Sequence, residues 1–447
     1  MTVNRNRYRN RCCNRQPASH AAPATRAVIG GLLLAGLLCL AAVPASAQTT
    51  AAPAASVASA ASGPTLRAEV GKPLQAAQDA IKAGNFKDAL ARLAEAESLP
   101  GLTPYERYII QRLKGPAAFG VGDVALAAGQ FEAALASPLM PADERGAITE
   151  STVKLVLQLK DYARAERLLT GYFAAGGNSP EMRRLYPQVL SVLSDHAGVL
   201  RVLAPELAAD AAAKRSTPEA TLRMLAASQS ALKDMPAYIN TLEQLASNTG
   251  KADYWAELIA RTVRRDGFAA DRLRLDTYRL RRAIGLPLDA GEHGDMANLA
   301  QLAGLPAEAQ ALLDDGFTSG LLGQDSNAAA DKKLREASTK AAAQDRSTLA
   351  DAEASGAKAK DGNVAHGLAL ALSASGAHER ALALMALAQS KGGLRRPDEV
   401  LLHQGLVQWR AGKIDEAKRT FGSVRGTDGS ADLARLWGLY LNSPARK

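Results

Sequence analysis

A short residue pattern recurs along this chain and restricts the fold more than any other feature. Each copy has an apolar residue every three or four positions, then a small or polar break, then a second such run. The second run carries an alanine followed four positions later by a bulky apolar residue, as in Gly84, Ala89 and Leu93. The alanines recur 38 residues apart in the N-terminal copies and 36 apart near the C-terminus. The small residues that mark the repeat are Gly84, Ala89, Ala127, Ala165, Ala309, Ala381, Gly412 and Ala417.

These residue types have a packing reason. Apolar residues at a period of 3.6 predict amphipathic helices. Glycine lets the chain reverse between two antiparallel helices, and alanine lets two helices approach closely. Only 4% of the residues are aromatic, whereas a β-sandwich or barrel favours aromatic and β-branched residues. The sequence therefore predicts an all-α protein of stacked helix-turn-helix units.

The pattern resembles the tetratricopeptide repeat (TPR) family, whose units of about 34 residues are helix-turn-helix pairs. The spacing here is a few residues longer, and the family's aromatic residues in the first helix are mostly missing. The resemblance implies an α-solenoid of TPR-like repeats wound into a right-handed superhelix. Residues 430–442 place Leu433, Leu436, Trp437 and Tyr440 on one face, which predicts a C-terminal capping helix over the last apolar surface.

The first 47 residues have the layout of a secretory signal peptide. Six arginines and no acid precede an apolar run from Val28 to Val43, and Ala45-Ser46-Ala47 is typical of a cleavage site. We therefore expect export to the periplasm, with no stable membrane span after cleavage. The alternative is an uncleaved segment that anchors the protein in the inner membrane, because the apolar run is almost long enough to span it.

Removal of this segment changes the charge and the cysteine content. The net charge falls from +9 to +3 because six arginines are lost, so the case for nucleic acid as a partner disappears. All three cysteines, Cys12, Cys13 and Cys39, lie in the segment. The mature chain therefore has no disulfide, no thiolate nucleophile and no cysteine-ligated metal.

Composition divides the rest of the chain into four parts. Residues 48–65 are a linker rich in Ala, Ser and Pro, which we expect to be flexible. Residues 66–323 are the N-terminal TPR-like superhelix. Residues 324–362 are rich in Ala and Lys and poor in large apolar residues, which predicts a helical joint. Residues 363–447 form a C-terminal TPR lobe that ends in the capping helix.

Eight arginines lie between residues 261 and 282, against three aspartates. One interpretation is a surface that binds an anionic ligand or partner, such as an acidic peptide, a lipid head group or glycan carboxylates. The residues assigned to it are Arg264, Arg265, Arg272 and Arg279. The other interpretation is a solvated pair of helices with local ion pairs, for example between Arg272 and Asp276.

No motif of known chemistry is present in the sequence. It has no glycine-rich phosphate loop, no Gly-x-Ser-x-Gly motif and no His-Glu-x-x-His motif. Residues 291–295 predict a polar loop with Glu292, His293 and Asp295, but three adjacent side chains do not readily close around one metal ion. We expect no catalytic residue, no cofactor and no metal.

The resemblance implies a non-catalytic periplasmic scaffold or adaptor that mediates protein–protein interactions in a cell-envelope process, because solenoids present long binding surfaces. Its partners would be other envelope proteins or peptides. One alternative is an envelope enzyme or glycan-binding protein built on an α-superhelix, similar to lytic transglycosylases. That class needs a catalytic Glu in a lobe outside the repeats, and the last 85 residues follow the repeat pattern. Another alternative is a purely structural spacer subunit.

Overall fold

A computed structural model describes residues 65–324 and 326–446. The predicted signal peptide, residues 1–47, and all but the last residue of the predicted linker lie outside the described residues. The regular structure of the described part is helical, without strands, and comprises twenty helices. The chain divides at Gly177 into two compact units, an N-terminal unit (residues 65–177) and a C-terminal unit (residues 178–446).

The N-terminal unit consists of three helix pairs. Each helix packs against the next along the chain, and one apolar core extends through the first five helices, from Val70 to Ile148. The six helices are α1 (Ala68–Lys82), α2 (Phe86–Glu97), α3 (Pro104–Gly120), α4 (Val124–Ala136), α5 (Ala142–Gln158) and α6 (Tyr162–Ala174).

The turn inside each pair requires a left-handed backbone, which glycine adopts without a steric penalty. In the turn after α1 the left-handed residue is Gly84, with φ +75°, and in the turn after α3 it is Gly122, with φ +87°. After α5 the same position is Lys160, with φ +58°. In four of the pairs an aspartate then caps the second helix: the side chain of Asp123, for example, accepts a hydrogen bond from the backbone N–H of Leu126 at 2.9 Å.

The C-terminal unit contains fourteen helices. The pairs α7–α8, α9–α10, α13–α14, α16–α17 and α18–α19 repeat the arrangement of the N-terminal unit, with extensive contact inside each pair. The helices are α7 (Pro180–Val192), α8 (His196–Ala212), α9 (Glu219–Ala231), α10 (Met235–Thr249), α11 (Ala252–Val263), α12 (Arg274–Ile284), α13 (Ala290–Leu302), α14 (Pro306–Thr318), α15 (Ala328–Lys358), α16 (Asn363–Ala374), α17 (His378–Lys391), α18 (Pro397–Arg410), α19 (Ile414–Ser423) and α20 (Ser430–Asn442).

Packing of these pairs confirms the all-α, TPR-like helix-pair fold predicted from the sequence. The six alanines that mark the repeat all lie in second helices and are completely buried, where a larger side chain would separate the packed helices. Helix α20 covers the end of the array as the predicted cap, with Leu433, Leu436 and Trp437 buried. None of the described helices combines the length and the apolar character that a membrane span needs.

Helix α20 also closes the C-terminal unit on itself. It packs against α18 and α19, and on another side it contacts α10 and α12 from the middle of the unit. One apolar core joins α9–α12 to α18–α20 and includes Trp255 and Trp437, whereas a second core joins α12–α14 to α16–α18. Leu280 of α12 and Leu273, which directly precedes the helix, belong to the first core, whereas Leu275 of α12 belongs to the second. Helix α12 therefore lies between the two cores.

The Ala/Lys-rich segment predicted as a joint contains a single helix of 31 residues, α15. This helix packs on α14 and α16, and Ser338 donates a hydrogen bond to Oε1 of Gln301 on α13 at 2.9 Å. The division of the chain at residues 323 and 362 stays a prediction.

Candidate functional site

The structure does not gather the four predicted arginines into one exposed surface. Arg264 is exposed at the C-terminal end of α11. Arg265 forms an ion pair with Asp432 of α20. Arg272 is half-buried and bridges Glu399 of α18 and Asp428, which precedes α20. Arg265 and Arg272 therefore hold the C-terminal helices against the segment before α12.

Arg279 lies inside the protein, on α12. Its Nη1 donates to Oδ1 of Asp276 at 2.7 Å, and its Nε and Nη2 form a bidentate pair with Glu308 of α14 at 2.9 and 2.6 Å. Only 4% of the Arg279 side chain is exposed. Because two carboxylates pair with this buried guanidinium, Arg279 is not part of an exposed surface. Three of the four predicted arginines, Arg265, Arg272 and Arg279, thus form ion pairs between parts of the fold that are distant in sequence, whereas other arginines of the segment, such as Arg261 and Arg274, form exposed local ion pairs as in the other interpretation.

The ion pairs of Arg279 extend into a larger group of buried polar side chains, the buried charge network. Arg410 of α18 donates to Glu308 at 2.8 Å, and Nε2 of His403 lies 3.1 Å from Oδ2 of Asp276. Nε2 of His366 on α16 lies 3.0 Å from Nδ1 of His403. The network thus connects α12, α14, α16 and α18, and its members are Asp276, Arg279, Glu308, His366, His403 and Arg410.

The charges of the network stabilise one another. Burial alone would raise the pKa of Asp276 and of Glu308, but the hydrogen bonds and charges of the neighbouring side chains outweigh it. His403 and Arg279 hold the pKa of Asp276 well below its usual value, and Arg279 and Arg410 lower the pKa of Glu308 to about 2. Both carboxylates therefore stay ionised and paired. A general acid or base instead needs a pKa near the working pH, so this arrangement is suited to structure and not to proton transfer in catalysis.

The segment predicted as a polar loop, residues 291–295, is helical, which corrects that expectation. Residues 291–295 lie in the first turns of α13, where Asp289 and Glu292 form a capping box. Glu292 pairs with Arg281 at 2.6 Å, and the buried His293 ring lies 2.7 Å from the carbonyl oxygen of Leu312. Within residues 65–324 and 326–446, no three metal-ligating side chains converge on one point.

Each unit has exposed apolar side chains at the turns inside its helix pairs, which sequence reasoning missed. We call these residues the turn edge. Of the ten large apolar residues that are exposed in the described part of the chain, seven lie at the end of a first helix or in the turn after it. They are Phe119, Val121 and Leu159 in the N-terminal unit and Val192, Leu193, Leu232 and Leu302 in the C-terminal unit.

A sequence signal for the turn edge exists. In four turns the apolar residue stands two positions before the capping aspartate, as Val121 does before Asp123 and Leu159 does before Asp161. Leu193 and Leu232 occupy the same position in the turns of α7–α8 and α9–α10. In these turns one apolar residue is followed by a glycine or polar residue and then the aspartate, and a pattern of three positions does not stand out from the helical period. The exposure of these residues becomes visible only when the turn geometry is known.

No family model matches the chain, and neither does any curated protein. Among solved structures, the chain is similar to a Naa15/Naa10 complex bound to HypK-THB, with 15% identity over 83% of this chain and 63% of that one, at a TM-score of 0.28. It is also similar to yeast Tom70, with 10% identity over 83% of this chain and 95% of that one, at a TM-score of 0.23. The TPR domain of P58(IPK) is 14% identical over 83% of this chain and 98% of that one, at a TM-score of 0.22. At these TM-scores the superpositions add nothing to the fold that the helix pairs of this chain already define.

Proposed function

We propose that the protein is a non-catalytic scaffold or adaptor that binds another protein through the turn edge. The observation that carries this proposal is the concentration of exposed apolar side chains at one kind of position. Exposed apolar residues scattered singly are normal on a soluble protein, whereas clustered ones mark interaction surfaces. Val192 and Leu302 are the most exposed of them, at 57% and 75%.

The helix pairs bring the turn-edge residues of neighbouring turns close together. Helix α4 packs against α5, so the turn with Val121 and the turn with Leu159 belong to adjacent pairs. Helix α8 packs against α9 in the same way, next to the turns with Leu193 and Leu232. Since packed helices lie about 8–10 Å apart, a helix or an extended segment of a partner can contact the turns of two pairs at once.

We further propose that this binding takes place in the periplasm, between envelope proteins. Support comes from the signal-peptide layout of residues 1–47, with its arginine-rich start, apolar run and Ala45-Ser46-Ala47 exit. N-terminal sequencing of the protein isolated from the periplasmic fraction tests this step. A chain that starts at Gln48 agrees with it. A chain that keeps residues 1–47 and sediments with the inner membrane supports the anchored alternative.

Comparative affinity capture from detergent-solubilised envelope tests binding at the turn edge. The bait is the mature chain with a C-terminal tag, and the test variant carries Val121→Lys, Leu159→Lys, Leu193→Lys and Leu232→Lys. A control carries Leu139→Lys and Val364→Lys, because these residues are also large, apolar and exposed but lie outside the turns inside the helix pairs. Circular dichroism at neutral pH first establishes that all three proteins are folded.

We expect a protein partner that is retained by the native chain and the control and is lost from the turn-edge variant. The purified partner should then bind the variant at least about tenfold more weakly, which corresponds to about 1.4 kcal/mol. Equal retention by both variants would reject the turn edge as the binding surface. Capture of glycan fragments in place of a protein would support the envelope-enzyme or glycan-binding alternative.

A further inference from the structure

We propose that the buried charge network is a pH-sensitive latch that keeps the C-terminal unit closed at neutral pH and releases it on acidification. The network lies where four helices meet that are far apart in sequence. His403 and Asp276 are 127 residues apart, and Arg410 and Glu308 are 102 residues apart. Helices α16 and α18 are therefore connected to α12 and α14 through these side chains.

Closure of the unit depends on the position of α12. The segment just before α12 holds the last helices through Arg272, which pairs with Glu399 and Asp428, and through Arg265, which pairs with Asp432. Arg435 of α20 completes the closure by pairing with Glu243 of α10 at 2.7 Å. Displacement of α12 from α18 would break several of these ion pairs at once, and the unit would open at this position.

His366 is the group in the network that responds to acid. At neutral pH the hydrogen bonds are satisfied if Nε2 of His366 donates to Nδ1 of His403 and Nε2 of His403 donates to Asp276. A proton added to His366 has no acceptor of its own among these groups. The centroids of the two imidazole rings are 5.2 Å apart, so the added charge lies directly against the ring of His403. Burial, together with His403, lowers the pKa of His366 to about 4.

The charged groups around His366 determine whether its protonation is favoured or opposed in the closed unit. His403 on α18 opposes protonation of His366, and Asp276 on α12 favours it. Arg279 and Arg410 balance Asp276 and Glu308, so the four strong charges of α12, α14 and α18 add up to zero. Helices α15 and α17, which also contact α16, carry the ion pair between Glu353 and Arg380, at 2.8 Å near the surface.

Protonation of His366 therefore weakens the closed state. In an open or unfolded unit His366 takes up a proton near its ordinary pKa of 6.5, whereas in the closed unit it does so only near pH 4. The contribution of neutral His366 is complete above about pH 6.5 and is lost as the pH falls towards 4. Between pH 7.5 and 5.0 the equilibrium constant for opening should rise about 30-fold from this residue alone.

Tryptophan fluorescence isolates the C-terminal unit in the full-length mature chain. All three tryptophans, Trp255, Trp409 and Trp437, belong to the core that α20 closes. Residues 65–177 contain no histidine, so the N-terminal unit serves as an internal reference in this pH range. Urea unfolding of the mature chain, followed by tryptophan emission at pH 7.5, 6.5 and 5.0, measures the opening equilibrium.

Two glutamine substitutions separate the latch from general acid sensitivity. His366→Gln keeps a neutral hydrogen-bond donor but cannot be protonated, and His378→Gln changes a half-buried histidine of α17 outside the network. We expect the wild type and His378→Gln to show the rise of about 30-fold at pH 5.0, and His366→Gln to show less than about a threefold rise. An unchanged wild-type constant, or a full acid response in His366→Gln, would overturn the proposal.

Hydrogen exchange of the wild type keeps the test decisive if His366→Gln does not fold. Protection factors, corrected for the intrinsic effect of pH, should fall at pH 5.0 in α12, α16 and α18 and stay constant in α1–α5. An equal fall in both units would contradict a latch. The latch concerns closure of the C-terminal unit, so loss of binding at the turn edge would leave its prediction unchanged.

Discussion

At the residue scale, the turn inside each helix pair depends on one left-handed residue. Glycine occupies this position at Gly84 and Gly122, but Lys160, Ser194 and Lys233 occupy it in three other turns, with φ between 58° and 61°. This conformation costs a residue other than glycine roughly 1–2 kcal/mol of conformational free energy. The aspartate that caps the following helix contributes about 1 kcal/mol in return, which explains why these turns tolerate lysine and serine.

Opposite substitutions at two equivalent turn positions test this cost. Lys160→Gly should raise the free energy of unfolding by up to about 1 kcal/mol, because the gain in backbone conformation exceeds the entropy cost of glycine. Gly84→Ala should lower it by about 1 kcal/mol, since no atom lies within 4 Å of the added Cβ and only the backbone is strained. Urea unfolding followed by circular dichroism measures both. Destabilisation by Lys160→Gly would show that its side chain makes a contact worth more than the strain.

The residue scale also shows where sequence reasoning succeeds and where it fails. The buried alanines recur at a regular spacing, and a small residue at close approach is a local requirement that the sequence displays directly. Arg279 is different, because an arginine on a helix has the same appearance whether it is solvated or buried. Its partner Glu308 lies 29 residues away on another helix, and no local pattern connects the two.

At the element scale, two helix pairs have a glycine in the first helix against which a phenylalanine ring of the second helix packs. An added Cβ at Gly115 would lie 2.6 Å from Cε1 of Phe131, and one at Gly405 would lie 2.4 Å from Cε1 of Phe421. Both glycines stand 16 residues before their phenylalanine. Sequence reasoning singled out the glycine of the turn and missed the glycine in the helix, although both recur. The second glycine allows the two helices of a pair to pack with a phenylalanine between them.

The same substitution at two glycines of the C-terminal unit tests this packing. Gly405→Ala should lower the free energy of unfolding by about 1–3 kcal/mol, because Phe421 must move out of a well-packed core. Gly438→Ala in α20 should raise it by about 0.5–1 kcal/mol, since no atom lies within 4 Å and alanine favours the helix. Tryptophan fluorescence in urea measures both. A neutral Gly405→Ala would mean that Phe421 has room to move.

At the scale of the whole molecule, two levels of organisation differ in how far the sequence predicts them. The array of helix pairs and the cap are predictable, because the apolar period and the small residues act within about 40 positions. Closure of the C-terminal unit is not, because it depends on contacts such as the one between Ser443 and the carbonyl oxygen of Ala246, 197 residues apart. The four arginines were therefore assigned to a ligand surface, although three of them hold parts of the fold together.

Arg279 and the buried charge network hold the C-terminal unit closed from within, and a pair of substitutions on α12 tests this most directly. Arg279→Met leaves His403 as the remaining partner of Asp276 and Arg410 as the remaining partner of Glu308. Arg282→Met removes an equally charged side chain one turn away that pairs with Asp315 at the surface, at 3.1 Å. Tryptophan fluorescence during urea unfolding at pH 7.5 measures the stability of the closed unit in both.

We predict that Arg279→Met lowers the free energy of unfolding by about 3–5 kcal/mol, the usual cost of breaking one side of a buried ion pair. Arg282→Met should change it by less than about 1 kcal/mol, as expected for an exposed pair. Equal and small effects of the two substitutions would contradict the claim and return Arg279 to the candidates for binding an anionic partner.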